Sequence, residues 1–139
     1  MTKLEESNGA TLGTFAVGTK PVAVAFDGAN LWVANAVSNN VTKLEASNGK
    51  VLGTFTVAGG PSALAFDGAN IWVASSGFGG TVTKLRASDG TTLGIFTVND
   101  PRAMVFDGAN IWVANGLNSV TKLQASNGQH LHICRGKRI

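Results

Sequence analysis

The side chains best suited to metal chemistry stand near the end of the chain. His130, His132 and Cys134 alternate, so on a β-strand all three would project from one face as ligands that Zn²⁺ accepts. The tail that holds them, residues 129–139, shares almost nothing with the repeats before it. This favours an out-of-frame reading of another repeat, or an appended segment, over a binding site. We therefore predict no metal and no cofactor, with these three residues as the alternative.

Two other residue types recur at equivalent places and could also form a site. They are Asp27, Asp67 and Asp107, and Trp32, Trp72 and Trp112. A ring of carboxylates could bind a cation, and a row of indoles could stack on sugars or bases. However, each Asp precedes a Gly, which is typical of a tight turn, and each Trp lies within an apolar run. We predict that the aspartates form turns and that the tryptophans pack in the core.

The sequence contains none of the common catalytic motifs for phosphate binding, serine hydrolysis or zinc-dependent proteolysis. No His or Cys precedes residue 130, so a histidine-assisted hydrolase or a thiol enzyme would lack its base or its nucleophile. The prediction is a protein that is not an enzyme.

The charge balance argues against nucleic acid as a partner. The net charge is +3, but three basic residues lie in the last five positions, so the rest of the chain is neutral. Lys43, Lys84 and Lys122 stand singly at equivalent positions, and we predict that they lie on solvated strand faces. No apolar run reaches the roughly eighteen residues of a membrane helix, and no signal peptide is present. We expect no membrane partner and, for the chain as written, a cytoplasmic location.

The chain is built from a repeated unit. The tryptophans recur at a spacing of 40 residues, and so do Pro21, Pro61 and Pro101. Each unit divides into four short β-like runs separated by turn residues, and the first two runs are apolar on both faces. This period and strand number are typical of a β-propeller blade. We predict an all-β fold of four-stranded antiparallel meanders, with strands A to D numbered outward from the propeller axis.

The predicted strands divide the chain into an incomplete set of blades. Residues 1–17 supply strands C and D of a partial blade, 18–58 and 59–98 form two blades, 99–128 supply strands A to C of a third, and 129–139 form the atypical tail. Such an open arc would expose apolar faces and strand edges. We expect a second copy to close this arc into a ring, giving six blades in a homodimer. Strands C and D of one chain would complete the last blade of its partner, where they would compete with residues 120–134 for the same strand edge.

The recurring Asp-Gly-Ala-Asn, followed by Leu or Ile and by Trp-Val-Ala-Asn, resembles bacterial propeller repeats of the YVTN type and of virginiamycin B lyase-like proteins. Trp32–Asn35 and 112–115 match the strand-B signature, whereas 72–75 ends in Ser. The resemblance covers residues 2–128 and implies the propeller fold. It also implies a lyase that uses His and Glu residues with a divalent metal, and this chain has no His before residue 130.

All variation in repeat length lies in the B–C and D–A loops, which share one face of a propeller blade. Any binding site is therefore predicted on that face, and its candidate residues are Lys20, Val22, Ser62, Phe78 and Arg102. The favoured function is a self-assembling propeller scaffold whose ligand, a small molecule or a glycan, is not specified by the sequence. The alternatives are a propeller that binds carbohydrate or protein, and the remnant of a virginiamycin B lyase-like enzyme without its catalytic residues.

Overall fold

The computed structural model describes residues 1–135, except that the side chains of Phe78 and of residues 132–135 are not described. The two N-terminal strands, β1 (Thr2–Leu4) and β2 (Thr11–Thr14), form a two-stranded sheet that we call the half-blade. The first complete sheet contains β3 (Pro21–Phe26), β4 (Asn30–Asn35), β5 (Asn40–Glu45) and β6 (Val51–Thr56). The second contains β7 (Pro61–Phe66), β8 (Asn70–Ser75), β9 (Thr81–Arg86) and β10 (Thr92–Thr97). The third contains β11 (Pro101–Phe106), β12 (Asn110–Asn115), β13 (Ser119–Gln124) and β14 (His130–Arg135).

Each complete sheet is an antiparallel meander in which consecutive strands pair. The first strands of the three sheets, β3, β7 and β11, contact one another in sequence order, so these strands lie innermost. This arrangement of four-stranded meanders confirms the predicted propeller blades. The tail segment His130–Arg135 pairs with β13 as the outermost strand of the third blade, and residues 136–139 lie outside the described residues.

The core of the protein lies between blades. Each blade has a leading face, which carries its Trp and is directed away from the blade before it, and a trailing face on the opposite side. Between the first two complete blades, Trp32 and Val41 of the leading face pack against Ile71, Val73 and Leu85 of the trailing face. The next seam repeats this packing with Trp72, Val82, Ile111, Val113 and Leu123. Because both faces of an inner blade are covered, its strands need the continuous apolar runs seen in the sequence.

A single turn type joins strands A and B in every blade. Gly28, Gly68 and Gly108 take φ values of 98°, 100° and 103° there. An L-residue with a side chain rarely adopts such angles, so glycine follows the aspartate in all three repeats. These turns set the register of strand B, and the register places Trp32 and Trp72 in the seams and Trp112 at the equivalent position of the third blade.

Candidate functional site

The predicted binding face lies at the beginnings of the innermost strands. Val22, Ser62 and Arg102 occupy the second position of β3, β7 and β11, which are the three strands in contact around the axis. The Ser62 hydroxyl lies 3.4 Å from the carbonyl oxygen of Pro101, to which it donates, so the starts of β7 and β11 are close together. The backbone therefore brings three of the five candidate residues to adjacent equivalent positions.

The other two candidates lie in the loops that precede or connect these strands. Lys20 has a positive φ of 58° and is exposed, as expected for a tight D–A loop. At the equivalent place in the third blade, a carboxylate oxygen of Asp100 lies 3.0 Å from Nε of Arg102. Phe78 lies in a single 3₁₀ turn, Gly77–Gly79, and its side chain is not among those described. Its role as a binding anchor stays a prediction, as does the site as a whole.

The alternative metal site lies on β14. His130 pairs with Leu123 and His132 with Lys122, with a register shift between the two pairs. The side chains of His132 and Cys134 are outside the description, so this hypothesis is not tested. Among the residues whose placement is described, no group of three His, Cys, Asp or Glu side chains could hold a metal ion. The same residues contain no helix with the length and apolarity to cross a membrane.

The recurring aspartates and tryptophans form a hydrogen-bonded unit within each blade. The second carboxylate oxygen of Asp27 accepts the indole N–H of Trp32 at 2.8 Å, and the equivalent distances are 2.8 Å for Asp67 and 2.7 Å for Asp107. The first oxygen accepts backbone amides two and three residues further on. Each aspartate thus closes its turn, as the sequence predicted, and also orients the indole, which the sequence did not predict.

The lysines of strand C differ from the prediction. Lys43 and Lys84 were expected on solvated faces, but each is only 8% exposed. The Lys43 ammonium lies 5.1 Å from the ring centre of Trp32 and donates at 2.7 Å to the carbonyl oxygen of Ala87 in the next blade. The Lys84 ammonium makes the same two contacts at the same distances, with the ring of Trp72 and the carbonyl oxygen of Ala125. A cation–π contact and a carbonyl acceptor together compensate the charge for its loss of water. The prediction that these lysines are solvated was wrong. The carbonyl groups that accept their hydrogen bonds lie about forty residues away in sequence, so the pattern around each lysine does not reveal them.

Hydrogen bonds within the aspartate units lower the pKa of their carboxyl groups. Burial raises the pKa of Asp67, but hydrogen bonds from the Trp72 indole and from the amides of Ala69 and Asn70 outweigh it and hold the pKa below its ordinary value. A carboxylate whose pKa is lower in the folded state stabilises that state above about pH 4, and the contribution is lost as the pH falls through the folded pKa. The pKa of Asp27 is also lowered, although burial raises it, because its carboxylate accepts the equivalent hydrogen bonds.

We therefore expect Asp67→Asn to reduce the free energy of unfolding at pH 7 by about 1–2 kcal/mol. An asparagine has one oxygen, so either the indole N–H or the backbone amides lose their acceptor. The variant should also lose less stability than the parent between pH 5 and pH 2, measured by urea unfolding at each pH. Glu6→Gln removes the same charge from an exposed side chain and is the control. Parallel pH curves for parent and Asp67→Asn would contradict this prediction.

The arrangement of strands is similar to that in solved propellers. Hydrazine synthase from Kuenenia stuttgartiensis has a TM-score of 0.76 with 24% identity over 88% of this chain and 38% of that chain. The RRP9 WD40 repeats have a TM-score of 0.76 with 13% identity over 85% of this chain and 39% of that chain. Saccharomyces cerevisiae Sqt1 has a TM-score of 0.75 with 12% identity over 84% and 36%. These similarities show the β-propeller fold alone, and this chain spans less than two fifths of the length of each of the three.

No protein-family model matches the chain, and no curated protein matches it. The resemblance to YVTN and virginiamycin B lyase-like repeats therefore stays a prediction. The coarser conclusion, a chain of β-propeller blades, is confirmed by the strand topology and by the solved structures.

Proposed function

We propose that this protein is a non-enzymatic β-propeller scaffold that closes its ring by associating with a second copy and binds its ligand at the loop face around the axis. The observation that supports the proposal is that the two ends of the chain expose the two halves of an interface that the chain already forms twice internally. The third blade ends in an uncovered leading face, and the first complete blade begins with a partly uncovered trailing face.

The exposed residues are the equivalents of core residues. Val24 and Phe26 on the trailing face of the first blade are 54% and 56% exposed, whereas their equivalents Leu64 and Phe66 pack into the first seam. On the leading face of the third blade, Val105 is 60% exposed, whereas its equivalent Ala65 is buried. Complete burial of a fully exposed side chain of this size is worth roughly 1.5–3 kcal/mol, and these side chains, being about half exposed, forgo about half of that. Association between copies would bury these side chains and recover that free energy.

The number of innermost strands favours a dimer. Each chain supplies three, β3, β7 and β11, so two chains give six blades and three chains would give nine. Propellers usually have about four to eight blades. In a head-to-tail interface, the leading face of one copy packs against the trailing face of the next. If each copy is rotated by 180° about the propeller axis relative to the other, two copies close the ring.

The proposed binding face is the set Lys20, Val22, Ser62, Phe78 and Arg102. In the closed ring these residues would surround the axis twice, once from each copy. The hydroxyl of Ser62 and the guanidinium of Arg102 can bind polar groups of a protein or a carbohydrate. The Ser62 hydroxyl lies within hydrogen-bond distance of the backbone carbonyls of Ala74 and Pro101, and the Arg102 guanidinium donates to the Asp100 carboxylate, so both groups are held in place for hydrogen bonding to a ligand.

The solution mass tests the association. Sedimentation equilibrium of the full chain should give twice the 14.3 kDa chain mass at micromolar concentration. Val24→Asp places a charge on the uncovered trailing face and should yield a monomer, because burying an unpaired carboxylate in the seam is unfavourable.

Leu93→Asp is the matched control. Leu93 is 43% exposed and its equivalents Leu12, Leu52 and Leu131 are exposed to a similar degree, so this position lies outside the seams. The control should remain dimeric. A parent chain that stays monomeric at all accessible concentrations would overturn the proposal.

A further inference from the structure

An apolar groove of about 210 Å³ opens between the half-blade and the first complete blade. In the part of the chain that the structure describes, the half-blade consists of two outer strands, and the inner part of the adjoining trailing face is left exposed. The groove is lined chiefly by Lys3, Phe15, Val24, Leu31, Ala46 and Gly49.

This lining matches the surroundings of the buried tryptophans. Trp32 stacks on Phe55 at 5.5 Å between ring centres, lies beneath Lys43, and packs in the seam that contains Leu64 and Ile71. By repeat position, the groove offers Phe15 for Phe55, Lys3 for Lys43, Val24 for Leu64 and Leu31 for Ile71. The groove is therefore a tryptophan pocket that contains no tryptophan.

Trp112 is in the opposite situation. It keeps its hydrogen bond to Asp107 at 2.7 Å and its contact with Lys122 at 5.0 Å, yet it is only half-buried, whereas Trp32 and Trp72 are fully buried. Both buried tryptophans stack on a Phe of the outermost strand. In the third blade, the residue in that register is Cys134, opposite Val120, and no stacked ring partners Trp112 within the described part of the chain. One tryptophan thus lacks a phenylalanine, and one phenylalanine, Phe15, lacks a tryptophan.

We propose that the groove binds Trp112 of a second copy through strand exchange. In the exchanged dimer, β11 and β12 of one protomer pair with β1 and β2 of the next to make one complete hybrid blade, and β13 and β14 leave that position. This inference rests on the proposed association and specifies which residues make it.

The register of the existing sheets shows that residues 1–5 can replace five of the six pairs that β12 makes with β13, and only the pair Asn115–Ser119 is not replaced. In the third blade Trp112 lies opposite Lys122 and Asn110 opposite Gln124. The equivalents of these two β13 residues are Lys3 and Glu5. The pair Asn110–Glu5 would repeat the pair Asn30–Glu45 of the first blade.

The exchange also buries a leucine that the single chain leaves in water. Leu4 is 58% exposed, although its equivalents Leu44, Leu85 and Leu123 are all fully buried. In the hybrid blade, Leu4 takes the place of Leu123 against Trp72 and Val82 of the other protomer. The seam therefore keeps a leucine at this position when β13 leaves.

Stacking of two intact copies would leave the seam incomplete. A whole third blade packed against the half-blade would cover Leu4, but the half-blade has no inner strands to cover Val24 and Phe26. Strands β11 and β12, placed beside β1, bring Val105 and Trp112 onto those two residues. Only the exchanged arrangement therefore covers both exposed ends at once.

A disulfide that locks β13 in place tests the exchange. Asn110 and Gln124 form a pair flanked by the hydrogen bond from Ala125 N to Ala109 O, so their Cα atoms should lie about 4.5 Å apart, within reach of a disulfide. In a Cys134→Ser background, Asn110→Cys with Gln124→Cys is oxidised with oxidised glutathione. We expect the locked protein to be monomeric by sedimentation and the reduced protein to be dimeric. A locked protein that stays dimeric overturns the exchange but leaves the association intact.

A second pair reports the exchange directly. Asn110→Cys with Glu5→Cys, in the same background, should give a covalent dimer on oxidation, because these residues face each other only across the hybrid blade. The matched control is Asn30→Cys with Glu45→Cys, the equivalent pair within one chain, which should give only cross-linked monomer. A dimeric Cys134→Ser parent without intermolecular cross-linking of the first pair would refute strand exchange. A monomeric parent would instead refute the proposed association.

Discussion

Trp72→Ala is expected to lower the free energy of unfolding by about 4 kcal/mol, the largest effect of any single substitution we propose. The side chain is fully buried in the second seam. Its indole N–H donates to Asp67 at 2.8 Å, its ring stacks on Phe96 at 5.8 Å, and the Lys84 ammonium lies 5.1 Å above it. Removing it creates a cavity between two blades, leaves the Asp67 carboxylate without its indole donor and takes away one of the two groups that compensate the buried Lys84.

Trp72→Phe separates the contributions to this effect. Phenylalanine keeps an aromatic ring in the seam but cannot donate to Asp67, so we expect a loss of about 1–2 kcal/mol. Urea unfolding followed by far-ultraviolet circular dichroism measures both variants at a protein concentration matched to the parent. Equal losses for the two substitutions would show that the hydrogen bond, not the packing of the seam, dominates at this position.

Gly80→Ala is expected to cost roughly 3 kcal/mol. Gly80 has φ +104°, a region that side chains with a Cβ rarely adopt. A Cβ at this position would also collide with the carbonyl oxygen of Val98 and lie 2.6 Å from Cδ of Pro101. Since most of these neighbours are backbone or proline ring atoms, the collision is relieved only by moving the D–A loop away from the B–C loop.

The neighbouring glycine provides the control for this prediction. Gly79 has a similar positive φ of 90°, but a Cβ there would meet no atom within 4 Å. Gly79→Ala should therefore show the cost of the backbone conformation alone, about 1 kcal/mol. Thermal unfolding of both variants gives the difference that the collision causes. If Gly79→Ala lowers stability as much as Gly80→Ala does, the collision of the added Cβ contributes little to the effect at Gly80.

The blade seams give the physical basis of the proposed association. Each seam uses the same parts: a Trp oriented by an Asp, a Phe stacked on it, and a Lys that reaches the next blade. Two seams form within the chain because all parts are present on adjacent blades. At the ends, the parts of one more seam are divided, with Trp112 at one end and Phe15 and Lys3 at the other. Our proposal for association is that two copies reunite them.

Local features of the sequence predicted the blades well. The 40-residue period, the four β-like runs per unit and the Asp-Gly turns each depend on residues that are close in sequence, so their structural meaning could be read directly. The turn role of Asp27 and the buried positions of Trp32 and Trp72 followed from the same local patterns.

What the sequence by itself determined was therefore the repeat, its strands and its turns, because these depend on the backbone preferences of neighbouring residues. Only the tertiary structure decided the environment of equivalent residues in these similar repeats. Lys43 and Lys84 are buried because a blade packs over each of them, and Trp112 is less buried than Trp32 because no blade packs over it among the residues that the structure describes. Burial depends on what lies across a seam, some forty residues away in the chain, and no pattern within one repeat contains that information.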